Sequence, residues 1–398
     1  MQFRRTHRVF TFTFSVLRDI HRHRQAFDHV AIHIVSLQIL DIPSAPAHVR
    51  TGMPSKMTKT RTPPAPGATK RATLKTIAEL TGLSLSTVSL SLRGGTTLKE
   101  ETRRKVAEAA ASVGYVPDRA GVRLRTGKTN VIALVLDGAE DSIDFSRYLI
   151  QGIGHAIKGT RYHLTVIPEF ARNYSVDSVR YILDNRTADG VIITHTGARD
   201  PRVKLLMDSD FPFVSHGRTE FFTPHPYHDF HSELFAEMAV ERLVAKGCSN
   251  LMLLIGDDRT NNYHNIVTAF ERTAARLKVE TRVMDHSTGI TAADTRAFAQ
   301  ELANGPNRPD GIVCGGEMRA ISVVAGLTAA GAKVGKDIQF ISKQTSDILW
   351  SLFPQVDTIE EDVYAAGLEL TRLLLRRIEG EPAETLQTLA EPIPHWRD

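Results

Sequence analysis

The spacing of apolar positions changes character along this chain. Between residues 73 and 113 they recur at helical intervals, and from Val131 onward short apolar runs alternate with amphipathic stretches. In TLKTIAELTGLSLSTVSLSL (residues 73–92), Leu74, Ile77, Ala78 and Leu80 predict the apolar face of a first short helix. Gly82 stands where the chain must turn, and glycine takes a positive φ without a Cβ clash. Ser84 is placed to cap a second helix with Val88 and Leu92 inward. Ser86, Thr87 and Ser89 leave a small hydroxyl face between them, unlike a core helix of an enzyme. Residues 100–113 predict a third helix, with Val106, Ala109, Ala110 and Val113 inward and Gly114 at its end. Two short helices about a tight turn make either a helix-turn-helix, whose second helix enters a DNA major groove, or an ordinary helical hairpin.

Further on, apolar runs at 131–136, 163–167, 190–194, 212–215, 251–255, 311–314 and 338–341 read as strands. Helical stretches at 146–157, 175–185, 234–246, 266–277, 291–303 and 319–330 separate them. This alternation predicts an α/β region with parallel sheets behind the all-α head.

A chain of 398 residues is too long for one ordinary core, so two or three domains are expected. The net charge is only +4, but lysine and arginine crowd between Lys56 and Lys128, the footprint of a nucleic-acid-binding segment. Cys248 and Cys314 lie in apolar contexts, where they either form a disulfide or, as expected in a reducing cytosol, stay buried free thiols. No run has the length of a transmembrane helix, so no membrane partner is expected. Residues 1–51 are basic but lack the apolar core and cleavage site of a secretory signal. Either translation starts at Met53 or Met57, or these residues form an extra basic arm. The Thr/Pro/Lys-rich segment 58–72 is expected to be disordered.

The segment GYVPDRAGVRLRTGKTN (residues 114–130), directly before the strand VIALVL, completes a wider pattern. Together with Thr73-Leu74-Lys75, Ala78, Gly82-Leu83-Ser84, Ser86-Thr87-Val88-Ser89, Glu101-Thr102-Arg103, Gly114-Tyr115-Val116-Pro117 and Leu124-Arg125-Thr126-Gly127-Lys128-Thr129, it resembles the LacI family of bacterial transcription regulators. The resemblance divides the chain into an extension and linker (1–72), a helix-turn-helix domain (73–116), a hinge (117–130) and a two-lobed effector-binding and dimerisation domain (131–398), like a periplasmic sugar-binding protein. It implies chain crossings between lobes near Asp229, near Ile290 and again near 343–359.

Roles follow from the same resemblance. Leu85, Ser86, Ser89 and Leu90 are the expected base readers. Leu90 cannot form a bidentate contact to guanine but can pack on a thymine methyl, so the operator should differ from those of better-known relatives. Thr73, Lys75, Thr87 and Arg103, with Arg104 and Lys105, are expected at phosphates. In the hinge, Leu124 is expected to wedge into the minor groove, flanked by Arg119, Arg123 and Arg125. Gly121 and Val122 depart from the family pattern there.

In the cleft, the family's sugar-binding aspartate is replaced by Gln344, its Asn-Asp pair by Gly316-Glu317, and its arginine by Ile266 beside Asn265. Glu237 lies on a helix that carries an effector-binding arginine in some members. Phe145, Tyr148, Phe221, Phe222 and Trp350 could stack on a sugar ring or fill the core. Arg218 and Lys343, if both face the cleft, suit a sugar acid or sugar phosphate.

No Gly-x-Gly-x-x-Gly or Walker loop follows a strand, and no cofactor is expected. His225, His228, Asp229 and His231 are spaced so that two or three could ligate zinc, but a Pro-broken, histidine-rich loop lining a cleft is the expected reading, and no metal site is expected. The expected function is therefore not enzymatic: a homodimeric, sequence-specific regulator, a repressor, that binds a near-palindromic double-stranded DNA operator under control of a carbohydrate or sugar-acid effector. A ligand-binding protein with a degenerate DNA head, and a metal-dependent hydrolase, are the alternatives.

Overall fold

The computed structural model describes residues 72–93, 98–116, 123, 126–137, 143–169, 175–256, 259–285 and 291–397. The expectations for residues 1–71 and for Arg119, Gly121, Val122, Leu124 and Arg125 fall outside them.

The head consists of α1 (Leu74–Thr81), α2 (Leu85–Ser91) and α3 (Glu100–Ser112). Thr73 opens α1 through a reciprocal box with Thr76, and Gly82 closes it at φ 69° with its N–H on the Ala78 carbonyl. Ser84 Oγ accepts the Thr87 N–H at 3.1 Å and starts α2. At the end of α3, Gly114 takes φ 59° and the Tyr115 N–H reaches the Ala110 carbonyl at 2.9 Å, a Schellman closure. Ile77, Val88, Val106 and Ala110 form the centre of a three-helix core, with Leu74, Ala78, Leu83, Leu92, Ala109, Val113 and Tyr115 packed around it. Leu80, expected inward, is 58% exposed, because it stands at the edge of the α1 stripe rather than over α2 and α3.

The remaining chain forms two sheets. Lobe 1 contains β1 (Val131–Asp137), β2 (His163–Glu169), β3 (Gly190–Ile193), β4 (Phe213–His216), β5 (Tyr227–Phe230) and β11 (Gln387–Ala390), in the order β11-β5-β4-β3-β1-β2 and parallel throughout. Around it lie α4 (Ile143–Ile157), α5 (Asp177–Asn185), α6 (Pro201–Asp208) and α12 (Val363–Ile378). Lobe 2 contains β6 (Asn250–Ile255), β7 (Glu280–Asp285), β8 (Gly311–Cys314), β9 (Gln339–Gln344), β10 (Asp357–Glu360) and β12 (Ile393–His395), in the order β12-β10-β9-β8-β6-β7. Only β12 runs antiparallel there. Its helices are α7 (Ser232–Ala245), α8 (Asn261–Leu277), α9 (Ala292–Asn304), α10 (Glu317–Ala329) and α11 (Ile348–Leu352).

Period-2 patterning explains why the central strands are apolar throughout. In β1, Ile132, Leu134 and Leu136 enter one helix–sheet core while Ala133 and Val135 enter the other. β6 repeats the arrangement, with Leu251, Leu253 and Ile255 on one side and Met252 and Leu254 on the other. Cys248 and Cys314 are buried free thiols, and burial pushes the Cys248 thiol up to about 11.

Two glycines set the closest helix contact. A Cβ on Gly152 of α4 would lie 2.2 Å from the Tyr364 carbonyl oxygen, and one on Gly367 of α12 would lie 2.5 Å from that of Leu149. Glycine lets the two backbones touch, so α12 seals lobe 1 immediately after the chain has left lobe 2.

The chain crosses between lobes at His231, at Glu361–Asp362 and between β11 and β12 near Glu391. Ile290 itself lies outside the described residues, and β7 and α9 on either side of it both belong to lobe 2; the crossing expected near 343–359 falls at Glu361–Asp362, whereas the one near Glu391 is not among those expected. Strands β5 (YHDF), β7 (ETRVMD), β10 (DTIE), β11 (QTLA) and β12 (IPH) lack the apolar runs that mark central strands, because each is at or beside a sheet edge.

Candidate nucleic-acid interface and ligand cleft

The capped start of α2 presents the residues expected to read bases. Leu85 is 52% exposed and Ser86 is exposed, whereas Ser89 and Leu90 are half-buried. The Ser86 and Thr87 hydroxyls each lie 2.8 Å from Ser84 Oγ, so the hydroxyl face is also part of the cap. Thr73 is likewise engaged in capping α1.

The cations of the head divide into two kinds. Lys75, 3.9 Å from Glu79, and Arg104, 3.7 Å from Glu108, make loose exposed pairs that cost little to exchange for another anion. Arg103 is half-buried and paired with Glu100 on its own helix, which makes it the least available of the expected phosphate contacts. Arg123 donates from Nη2 to the Asn185 carbonyl at 2.8 Å, at the end of α5 of lobe 1. Just before β1, Thr129 N, Thr129 Oγ1 and Asn130 N all donate to the Asp189 carboxylate.

The carboxyl ends of the strands carry most of the buried polar groups of the core. Arg202 is buried, donating to Asp200 from Nε (3.1 Å) and Nη2 (2.7 Å), to Glu169 from Nη1 (2.9 Å) and to the Thr194 and His195 carbonyls from Nη2. That fork holds the turn after β3, where His195 takes φ 54° and Phe145 meets the His195 and His216 rings edge-on. The next residue touches lobe 2: the Thr196 carbonyl accepts the Asn261 N–H at 3.0 Å, while Asn261 Nδ2 donates to the Arg218 carbonyl at 3.2 Å.

At the second crossing, Glu361 is buried between His216 of lobe 1 (3.3 Å) and Lys343 of lobe 2 (2.7 Å). Burial alone would raise its carboxyl, but Lys343 and His216 hold it well below the usual carboxylate range. Arg218 meets Asp229 at 3.1 Å and also pairs with Glu233.

These pairs revise the expected effector site. Arg218 and Lys343 are each paired with carboxylates in this structure. Glu237 pairs with Arg272 across α7 and α8, away from the strand ends. Glu317 is buried and accepts from Thr345 N, Thr345 Oγ1 and Leu349 N, a local clasp. Asn265 is half-buried on α8, and Gln344 is buried at the end of β9. Of the aromatics, Phe145 alone meets the strand-end histidines. Phe221 packs in lobe 1, Phe222 is fully exposed, Trp350 stacks on His395 and Tyr148 lies under Arg147.

The four residues once considered for zinc part company. His225 stacks on Phe213, His228 meets Thr388, Asp229 meets Arg218 and His231 meets Glu391. Among the described residues no group of three or more His, Cys, Asp or Glu side chains could hold a metal ion.

Arg202, His195, His216, Asn261 and Glu361 were not singled out from sequence. A cap-and-proline pair, Asp200-Pro201, marks the start of α6, but nothing local shows that the next arginine turns inward.

A capped two-helix turn on a three-helix core, followed by two parallel α/β lobes joined by three crossings, defines a DNA-binding transcriptional regulator with a periplasmic-binding-protein-like core. Residues 73–118 match the family of bacterial regulatory proteins, lacI family, and residues 240–398 match the periplasmic binding protein-like domain. Neither match spans half of the chain; together they give it a lacI-type DNA-binding head and a periplasmic-binding-protein-like core, as in transcriptional regulators of that kind. It is similar to the HTH-type transcriptional regulator AglR of Rhizobium meliloti (strain 1021), at 28% identity over 314 residues, covering 76% of this chain and 86% of that one. In fold it is similar to the lac repressor dimer bound to operator and an anti-inducer, with TM-score 0.72 and 19% identity over 82% of this chain and 98% of that one. It is also similar to a transcriptional regulator CelR–cellobiose complex, with TM-score 0.60 and 21% identity over 82% and 99%. No helix among the described residues is long and apolar enough to cross a membrane.

Proposed function

We propose that this chain is a cytoplasmic, homodimeric repressor, not an enzyme, whose hold on a near-palindromic DNA operator is set by a carbohydrate in the inter-lobe cleft. The domain division supporting this role is a head at 73–116, a hinge at 117–130 and a ligand-binding core from 131. The observation that carries the reading is the exposed, capped start of α2, where Leu85 and Ser86 stand outward above a closed core. Leu85 and Leu90 contact thymine methyls, Ser86 and Ser89 contact base edges, and Lys75, Arg104 and Lys105 hold phosphates. Thr73, Thr87 and Arg103 contribute through the cap geometry of α1 and α2 and the packing of α3 rather than as free phosphate ligands. Arg119, Arg123, Leu124 and Arg125 form the hinge, with Leu124 as the minor-groove wedge.

For the effector, the fold likeness to a cellobiose-bound regulator and the polar, histidine-rich strand ends support a sugar. Phe145 is the ring-stacking candidate, and Gln344 and Asn265 can serve hydroxyls. Ligand occupancy changes the angle between lobes, and by linkage DNA must alter ligand affinity by the same factor.

The test is selection of bound duplexes from a random-sequence pool by the full chain, followed by sequencing. A two-fold-related consensus with thymine at the positions facing α2 is expected. A pool that stays random after repeated rounds would contradict the reading.

A further inference from the structure

We propose that the cleft takes an amine-bearing carbohydrate, with the ammonium group received by the acceptors at the carboxyl ends of the two sheets. This deepens, and rests on, the carbohydrate reading above.

Two independent observations carry it. The first is charge. The cations Arg202, Arg218 and Lys343 are all spent on carboxylates: Asp200 and Glu169, Asp229 and Glu233, and Glu361. Among the described residues, these three cations pair with five carboxylates, so that carboxylates outnumber cations in this set, with His216 beside Glu361 as well. A sugar acid would add a further negative charge to this set, whereas an ammonium group would balance part of it.

The second is the kind of atom left without a partner. Glu169 Oε1, Glu233 Oε2, Asn261 Oδ1 and Gln344 Oε1 are buried at or beside these strand ends and make no hydrogen bond. All four are acceptors. Glu169, Asn261 and Gln344 are each at least nine-tenths buried, and Asn261 already joins the lobes through Thr196 and Arg218. Buried acceptors favour a ligand that brings donors, and an ammonium group carries three N–H donors and no acceptor. A neutral hydroxyl brings one donor with two lone pairs of its own, and a carboxylate brings acceptors only.

The experiment is a melting-temperature and calorimetric titration of the full chain at pH 7 with glucosamine, galactosamine and mannosamine. The parent hexoses and the corresponding uronic acids are titrated alongside. At least one hexosamine is expected to bind about tenfold or more tightly than its parent hexose, and its affinity should fall as the pH is raised through the deprotonation of the amine. In Gln344→Leu, which removes one acceptor at similar volume, that preference should shrink. Parent hexoses or uronic acids binding as tightly as the hexosamines would overturn the amine assignment and leave the carbohydrate reading standing. Silence from all three classes would overturn both.

Discussion

Replacing Arg202 with methionine removes one cation that five hydrogen bonds hold in the interior. Methionine fills much of the aliphatic volume but leaves Asp200 and Glu169 buried without their counter-charge. Breaking one partner of a buried ion pair typically costs about 3–5 kcal/mol, most of it the stranded charge rather than the lost attraction. Lysine should recover only part, because a single ammonium cannot reach two carboxylates and two carbonyls in the plane that the guanidinium fork serves. The assay is urea unfolding of the core, comparing wild type, Arg202→Met, Glu169→Gln and the double variant. Glu169→Gln should cost stability alone yet restore about 1–2 kcal/mol in the Arg202→Met background, since it removes the stranded charge. If Arg202→Met lies within about 0.5 kcal/mol of wild type, or if the two losses simply add, the fork does not hold the β3 turn as described.

Other consequences are equally direct. Gly367→Ala should destabilise lobe 1 by about 1–3 kcal/mol, because its Cβ would sit 2.5 Å from the Leu149 carbonyl oxygen; thermal unfolding reads this. Ser84→Ala removes the α2 cap and should lower the head's stability by about 1 kcal/mol, seen as earlier loss of helical signal in the isolated transition of the head. His228 is buried, and burial followed by the nearby His216 lowers its pKa from 6.5 to about 4. The unfolded chain therefore takes up this proton first as the pH falls. The contribution is intact above about pH 6.5 and is lost towards pH 4, amounting to about 2–4 kcal/mol. His228→Gln should flatten that acid limb in a pH series of melting temperatures.

The parts that could be read from the chain are those with a strong local signal. Gly82 and Ser84 announce the turn and cap of the head, and the uninterrupted apolar runs at β1, β6 and β8 announce strands buried on both faces. Leu80 misled because a helical stripe has edges that periodicity alone does not mark. Strands such as β10 (DTIE) and β11 (QTLA) carry no run because they lie beside or at the edge of their sheets. The crossing near Glu391 went unread for the same reason, since β11 and β12 are edge strands that the pattern does not distinguish from loops. In the cleft, residue identity showed that Gln344 and Glu317 replace the expected family residues. It could not show that Arg218 and Lys343 are already matched by Asp229, Glu233 and Glu361, because those partners depend on how two lobes meet. Pairing of charges is a property of the assembled fold, and no spacing along the chain announces it.

Regulation by this chain requires specific DNA recognition, and fluorescence anisotropy with the selected duplex and a scrambled duplex of equal length tests it most directly. At physiological salt the selected duplex should bind about 10³-fold or more tightly, with both affinities falling steeply as salt rises. Equal affinity for the two duplexes would contradict the account.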